Sequence, residues 1–142
     1  MGISIVRASI GSNRNFTVEL SDDLGHHWLG DEPEEIGGAN AGPSPERLLL
    51  SALGTCTAVT VTMYAQRKQW PLTGVKVELA FNPGGKPAAG TDITRRLELL
   101  GDLDDAQRER LLMAANACPI HKVLTGEVRI DTALVAEAGA AA

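Results

Sequence analysis

Two cysteines and three histidines are the side chains of this 142-residue chain that carry the most reactive chemistry. Cys56 has Leu49 and Leu53 seven and three residues before it, and Thr60 and Met63 four and seven after it. On a helix that spacing puts the sulfur on one face with apolar groups. A thiol in such surroundings packs as a small hydrophobe unless something ionises it. Cys118 stands directly before Pro119, in Cys118-Pro119-Ile120-His121. Pro119 suits the opening of a new helical turn, and a cysteine at a helix start has its acidity raised by the free N–H groups there. His121 is placed to pair with that thiol; its alternative reading is a surface histidine at a proline-marked corner. Two thiols can bridge as a disulfide only where their Cα atoms lie within about 7 Å.

Other chemistries fit less well. Cys118 and His121, with His26 or His27, give half a zinc site and no second close ligand pair. No local nucleophile signature surrounds either cysteine, which weakens a Cys-His hydrolase. The Gly-rich stretch 37–45 lacks the Lys-Ser/Thr ending of a phosphate loop.

The elements that must position these groups follow from periodicity. Ile3 and Ile5, then Phe16, Val18 and Leu20, alternate with polar residues and predict strands, with a turn at 11–15 between them. A second turn at 22–25 leads to a short strand over His26-His27-Trp28-Leu29, and 30–45 reads as an ordered Gly/Pro-rich loop. Leu48 to Gln66 carries no charge over 19 residues and predicts a central helix, buried and apolar on all sides. Ser44 suits its N-cap, Pro45 its first position and Glu46 its positive end, while Pro71 forbids continuation. This stretch approaches the length of a membrane span, but Ser51, Gly54 and four threonines favour a soluble core helix.

At 1.5 Å per residue the helix is about 29 Å long, against a radius of gyration of about 14–15 Å for such a chain. One small sheet covers one side, and a second copy of the chain is the simplest cover for the other. A hairpin over 75–81 and 93–100 follows, then a helix from a capping box at Asp104-Asp105-Ala106-Gln107 to about Ala117. A final strand is predicted over 128–134. The order βββ-α-ββ-α-β is an α+β domain over 1–136, with a low-complexity tail at 137–142.

Composition narrows the function. A chain of this size buries roughly 70% of its unfolded surface without disulfide staples. Thirteen basic against 18 acidic residues, with no basic cluster, argue against nucleic acid or an anionic membrane as partner. The N-terminus reads neither as a secretory signal nor, with Val6 where Ser or Thr is wanted, as a myristoylation site. A cytoplasmic, reducing location is expected.

Gly42-Pro43-Ser44-Pro45-Glu46-Arg47-Leu48-Leu49-Leu50-Ser51-Ala52-Leu53-Gly54-Thr55-Cys56-Thr57 resembles the central-helix signature of the OsmC/Ohr family. Leu111-Leu112 through Cys118-Pro119-Ile120-His121 is similar to its second motif. Asp31-Glu32-Pro33 and the two proline motifs look more like the general OsmC-like branch than the organic-hydroperoxide-resistance branch. The resemblance implies an OsmC-like fold, an intertwined homodimer with sites at the subunit interface, and an oxidoreductase role in oxidative stress. Its activity would be thiol-dependent reduction of organic hydroperoxides. Cys56 would attack, Cys118 would resolve, and an external dithiol, often lipoyl, would recycle the disulfide. No metal, haem or flavin is implied. Glu46 and Arg14 match the carboxylate and guanidinium that activate the thiolate, with Arg7 a weaker substitute. Ten helical residues set Glu46 about 15 Å along the axis from Cys56, so Arg14 or a partner chain must bridge. Helix-terminus physics, by contrast, makes Cys118 the more acidic thiol. A redox-sensing or small-molecule-binding dimer that does not turn over is the alternative function.

Overall fold

A computed structural model of the protein describes residues 2–12 and 15–136. Three short strands open it: β1 (Val6–Ser9), β2 (Val18–Asp22) and β3 (His27–Gly30), an antiparallel sheet in that order. Val6 pairs with Asp22, and Leu20 with Trp28. The first strand starts after Ile5 rather than at Ile3. Its residues are all exposed, so only the ladder with β2 sets its limits.

The loop after β3 is built around a buried carboxylate. Asp31 accepts hydrogen bonds from Thr17 Oγ1 (2.7 Å) and from the backbone N–H groups of Glu32 (2.7 Å), Ala41 (3.1 Å) and Ala39 (3.4 Å). Gly38 lets the loop close on itself, because a Cβ there would lie 1.9 Å from the Glu32 carbonyl oxygen. Within the loop, Glu34–Ile36 makes one 3-10 turn.

The long helix α1 runs Pro45–Lys68 and ends where Gln69 turns left-handed (φ 57°) before Pro71. Ser44 is its N-cap residue, but the hydroxyl does not bond the helix backbone; it accepts from Arg47 Nη1 at 3.0 Å. By length and composition α1 could cross a membrane. Burial on all sides is not what the chain achieves. Only Leu53, Thr57, Val61 and Ala65 are buried, a stripe at four-residue spacing. Val59 and Met63 remain 50% and 52% exposed, because the rest of one chain covers one side of this rod.

That cover is the hairpin of β4 (Leu72–Phe81) and β5 (Ile93–Gly101), followed by α2 (Asp105–Ala115) and α3 (Pro119–Thr125). Val75 pairs with Leu99 and Leu79 with Arg95. Val61, Ala65, Leu103, Leu111 and Ala115 form the core, with Trp70, Val75, Leu97 and Leu99 packed against it. Arg108 ties the end of β5 to α2 by donating to the carbonyls of Leu99, Gly101 and Leu103. The capping box is complete, Asp104 and Gln107 each accepting the other's backbone N–H (2.8 and 2.9 Å).

The final strand does not form. Residues 127–136 join no helix or ladder, and Ile130 and Leu134 are 85% and 101% exposed. Their alternation supplies an apolar face, but no strand edge within the described chain pairs with it. The tail at 137–142 lies outside the described residues.

Candidate functional site

The two thiols meet where α1 passes the corner between α2 and α3. Cys56 projects from the middle of α1, beside the buried Thr57. Asn116 caps α2, and Cys118 is the N-cap residue of α3 with extended dihedrals (φ −61°, ψ 135°). Pro119 begins α3, as its fixed φ favours. The first N–H groups of a helix have no partner inside it. Here two of them point at sulfur: Ile120 N–H donates to Cys56 Sγ (3.5 Å) and His121 N–H to Cys118 Sγ (3.3 Å). Both cysteines are free thiols.

The two sulfurs differ in access and in acidity. Cys118 is fully buried and Cys56 half-buried. Burial opposes charge on Cys118, but hydrogen bonds from Cys56 and from the His121 and Ile120 N–H groups outweigh it, holding this thiol below its ordinary value. Burial pushes Cys56 up, and the neighbouring Cys118 pushes it further. Each thiol thus perturbs the other, and the first negative charge of the pair rests on Cys118.

A cation the sequence reading passed over lies behind them. Arg95 of β5 donates from Nη1 to Thr57 Oγ1 (3.0 Å) and from Nη2 to Asn116 Oδ1 (2.9 Å), and Nη2 meets His121 Nδ1 at 3.0 Å. A signal existed: Arg95 has the same strand parity as Ile93, Leu97 and Leu99, so it is a charge at an inward position. Arg95, His121, Leu53, Ile93 and Leu124 line a cavity of about 320 Å³.

Other candidates lie elsewhere. Glu46 is exposed in the first turn of α1, and among the described residues no hydrogen bond joins its carboxylate to the cysteines. Arg14 lies outside the described residues. Arg7 is exposed on β1. His26 pairs with Asp22 (Nδ1 to Oδ2, 2.7 Å), and His27 belongs to β3, so neither joins Cys118 and His121. Among the described residues no three His, Cys, Asp or Glu side chains converge as a metal site.

A family model described as OsmC-like protein matches residues 37–133, a span that holds both cysteines. No curated protein matches the chain. Among solved structures, an OsmC-like protein from Mycoplasma pneumoniae is similar with a TM-score of 0.71 at 18% identity, over 88% of this chain and 89% of that one. An organic hydroperoxide resistance protein, OsmC, from Legionella pneumophila gives 0.65 at 20% identity, over 89% and 91%. The organic hydroperoxide resistance protein OhrB of Bacillus subtilis gives 0.60 at 20% identity, over 88% and 92%. At these identities the likeness is one of fold.

Proposed function

The chain belongs to the OsmC-like protein family, and from that premise we propose that it is a thiol-dependent peroxidase acting on organic hydroperoxides. The observation that carries this reading is the shared helix start of α3, whose consecutive N–H groups serve both sulfurs. Some structural neighbours bear the name organic hydroperoxide resistance protein, which supports the substrate class.

Access and acidity divide the work. A single negative charge on the pair favours the buried, more acidic Cys118, while Cys56 is the sulfur a peroxide reaches. Passing the Cys56 proton to Cys118 creates the attacking thiolate. It takes the distal peroxide oxygen, giving a Cys56 sulfenic acid and an alkoxide. The alkoxide takes the proton from Cys118 and leaves as alcohol. The Cys118 thiolate then attacks the Cys56 sulfur, expelling hydroxide and forming the disulfide. An external dithiol, of lipoyl type, reduces it by exchange. No resident cofactor enters this scheme.

Arg14 and Glu46 are proposed as the guanidinium–carboxylate pair that favours the Cys56 thiolate. Glu46 does not reach the sulfur along its own helix, so the pair needs Arg14 to bridge or a second copy of the chain. The exposed face of α1 around Val59 and Met63 supports a homodimer. The apolar surroundings of Cys56 favour bulky organic hydroperoxides over hydrogen peroxide.

The test is consumption of cumene hydroperoxide with a dithiol reductant, with Cys56→Ser and Cys118→Ser in parallel. Multiple turnovers abolished by Cys56→Ser are expected. Activity that survives Cys56→Ser but not Cys118→Ser reverses the roles. A single oxidation without turnover identifies a redox-sensing dimer instead.

A further inference from the structure

Arg95 occupies a place where β5 otherwise turns apolar side chains inward. A guanidinium there loses hydration that a Leu or Met would not need. What it gains is a fork. Its three partners stand on three segments, each next to a cysteine. Thr57 follows Cys56 on α1; Asn116, at the end of α2, is two residues before Cys118; His121, in α3, is three residues after it. Among the described residues no carboxylate pairs with Arg95.

Guanidinium donors lie in one rigid plane, so acceptors on three segments are held at set positions around it. Arginine can only donate, so His121 Nδ1 must accept, which makes His121 neutral with its proton on Nε2. The same histidine gives its backbone N–H to Cys118, so ring and backbone are both pinned. At Thr57, Arg95 occupies a lone pair of the hydroxyl, whose proton goes to the Leu53 carbonyl (2.7 Å). That bond anchors the fork to the α1 backbone one turn before Thr57.

We infer that Arg95 is a positioning residue for the thiol pair: by forking from Thr57 to Asn116 and His121, it holds the Cys118 corner against the Cys56 helix at the separation disulfide closure requires. The inference rests on the redox pairing of Cys56 with Cys118 in the proposed function, but not on peroxide turnover.

The test therefore uses no peroxide. The reduced protein is equilibrated in glutathione redox buffers, acid-quenched and alkylated, and its free thiols are counted by mass spectrometry. Two protein thiols give two electrons and two protons to glutathione disulfide, which becomes two glutathiones. Arg95→Met is expected to lower the equilibrium constant for the Cys56–Cys118 disulfide at least tenfold, with the circular dichroism of the fold retained. Arg95→Lys keeps the charge but loses the fork, and is expected to fall most of the way with it. Constants within twofold of wild type in both variants overturn the inference. If Arg95→Met does not fold, Arg95→Lys and the ring ¹⁵N shifts of wild-type His121 decide: neutral with the proton on Nε2 supports it, and a proton on Nδ1 overturns it. A wild type that closes the disulfide yet consumes no peroxide defeats the peroxidase and leaves the Arg95 role standing. A wild type that never closes it defeats both.

Discussion

The backbone N–H of Ile120 donates to the sulfur of Cys56 across 3.5 Å, although the two residues are 64 positions apart. The next amide, His121, serves Cys118. One helix start thus faces two thiols, and its pull for negative charge is divided between them. Cys118 holds the larger share as the N-cap residue, and Cys56 has the better access to solvent.

Thiolate absorbance should accordingly rise in two steps as pH increases. The first lies below the ordinary thiol value of 9.0 and belongs mainly to Cys118; the second lies above it and belongs mainly to Cys56. Cys118→Ser removes the lower step. It also brings the Cys56 step down, though burial still keeps it raised. A single step at the ordinary value contradicts this. The linkage to folding has a definite sign. A depressed Cys118 value adds stability that is present above the unfolded thiol's value and lost as pH falls through the folded one.

Asp31 predicts an acid-sensitive loop. Burial opposes its charge, but the Thr17 hydroxyl and three backbone N–H groups together hold the carboxyl below its ordinary value of 3.8. Its stabilisation is full above the unfolded value and disappears as pH falls through the lower folded one. Asp31→Ala strands those donors and is expected to lower the melting temperature by about 5 °C or more at neutral pH. The deficit should shrink in acid. An equal deficit at every pH rules out the carboxylate as its source.

Gly38→Ala tests the same loop by shape. The new Cβ meets the Glu32 carbonyl at 1.9 Å, so the backbone must move. A loss of about 1–3 kcal/mol is expected from urea unfolding. Gly84→Ala, where nothing lies within 4 Å, is the control and should change stability by less than about 0.5 kcal/mol.

The open face of α1 predicts the assembly. Light scattering should give about twice the 15.0 kDa chain mass. Val59→Glu and Met63→Glu place charge on that face and should shift the mass toward one chain while helicity persists. A wild type that is monomeric at all concentrations counts against the homodimer.

Much of the architecture was legible because it is local. The uncharged run, Pro45 and Pro71 delimit α1, the Asp104–Gln107 box opens α2, and Cys118-Pro119 marks the start of α3. Each signal depends on residues within a turn or two of one another. Both cysteines could be singled out for the same reason.

The convergence of Arg95 on Thr57, Asn116 and His121 could not be read that way. It depends on the register of β4 with β5, which sets Arg95 opposite Leu79 and over α1. The last strand makes the same distinction. The alternation of Val128, Ile130, Thr132 and Leu134 determines only that an extended segment would have two unlike faces. A strand exists when a neighbouring edge takes up its N–H and C=O groups, and within its own described chain this segment meets none. Sequence decides what each segment is able to bury or donate; tertiary structure decides whether a complementary group is there to receive it.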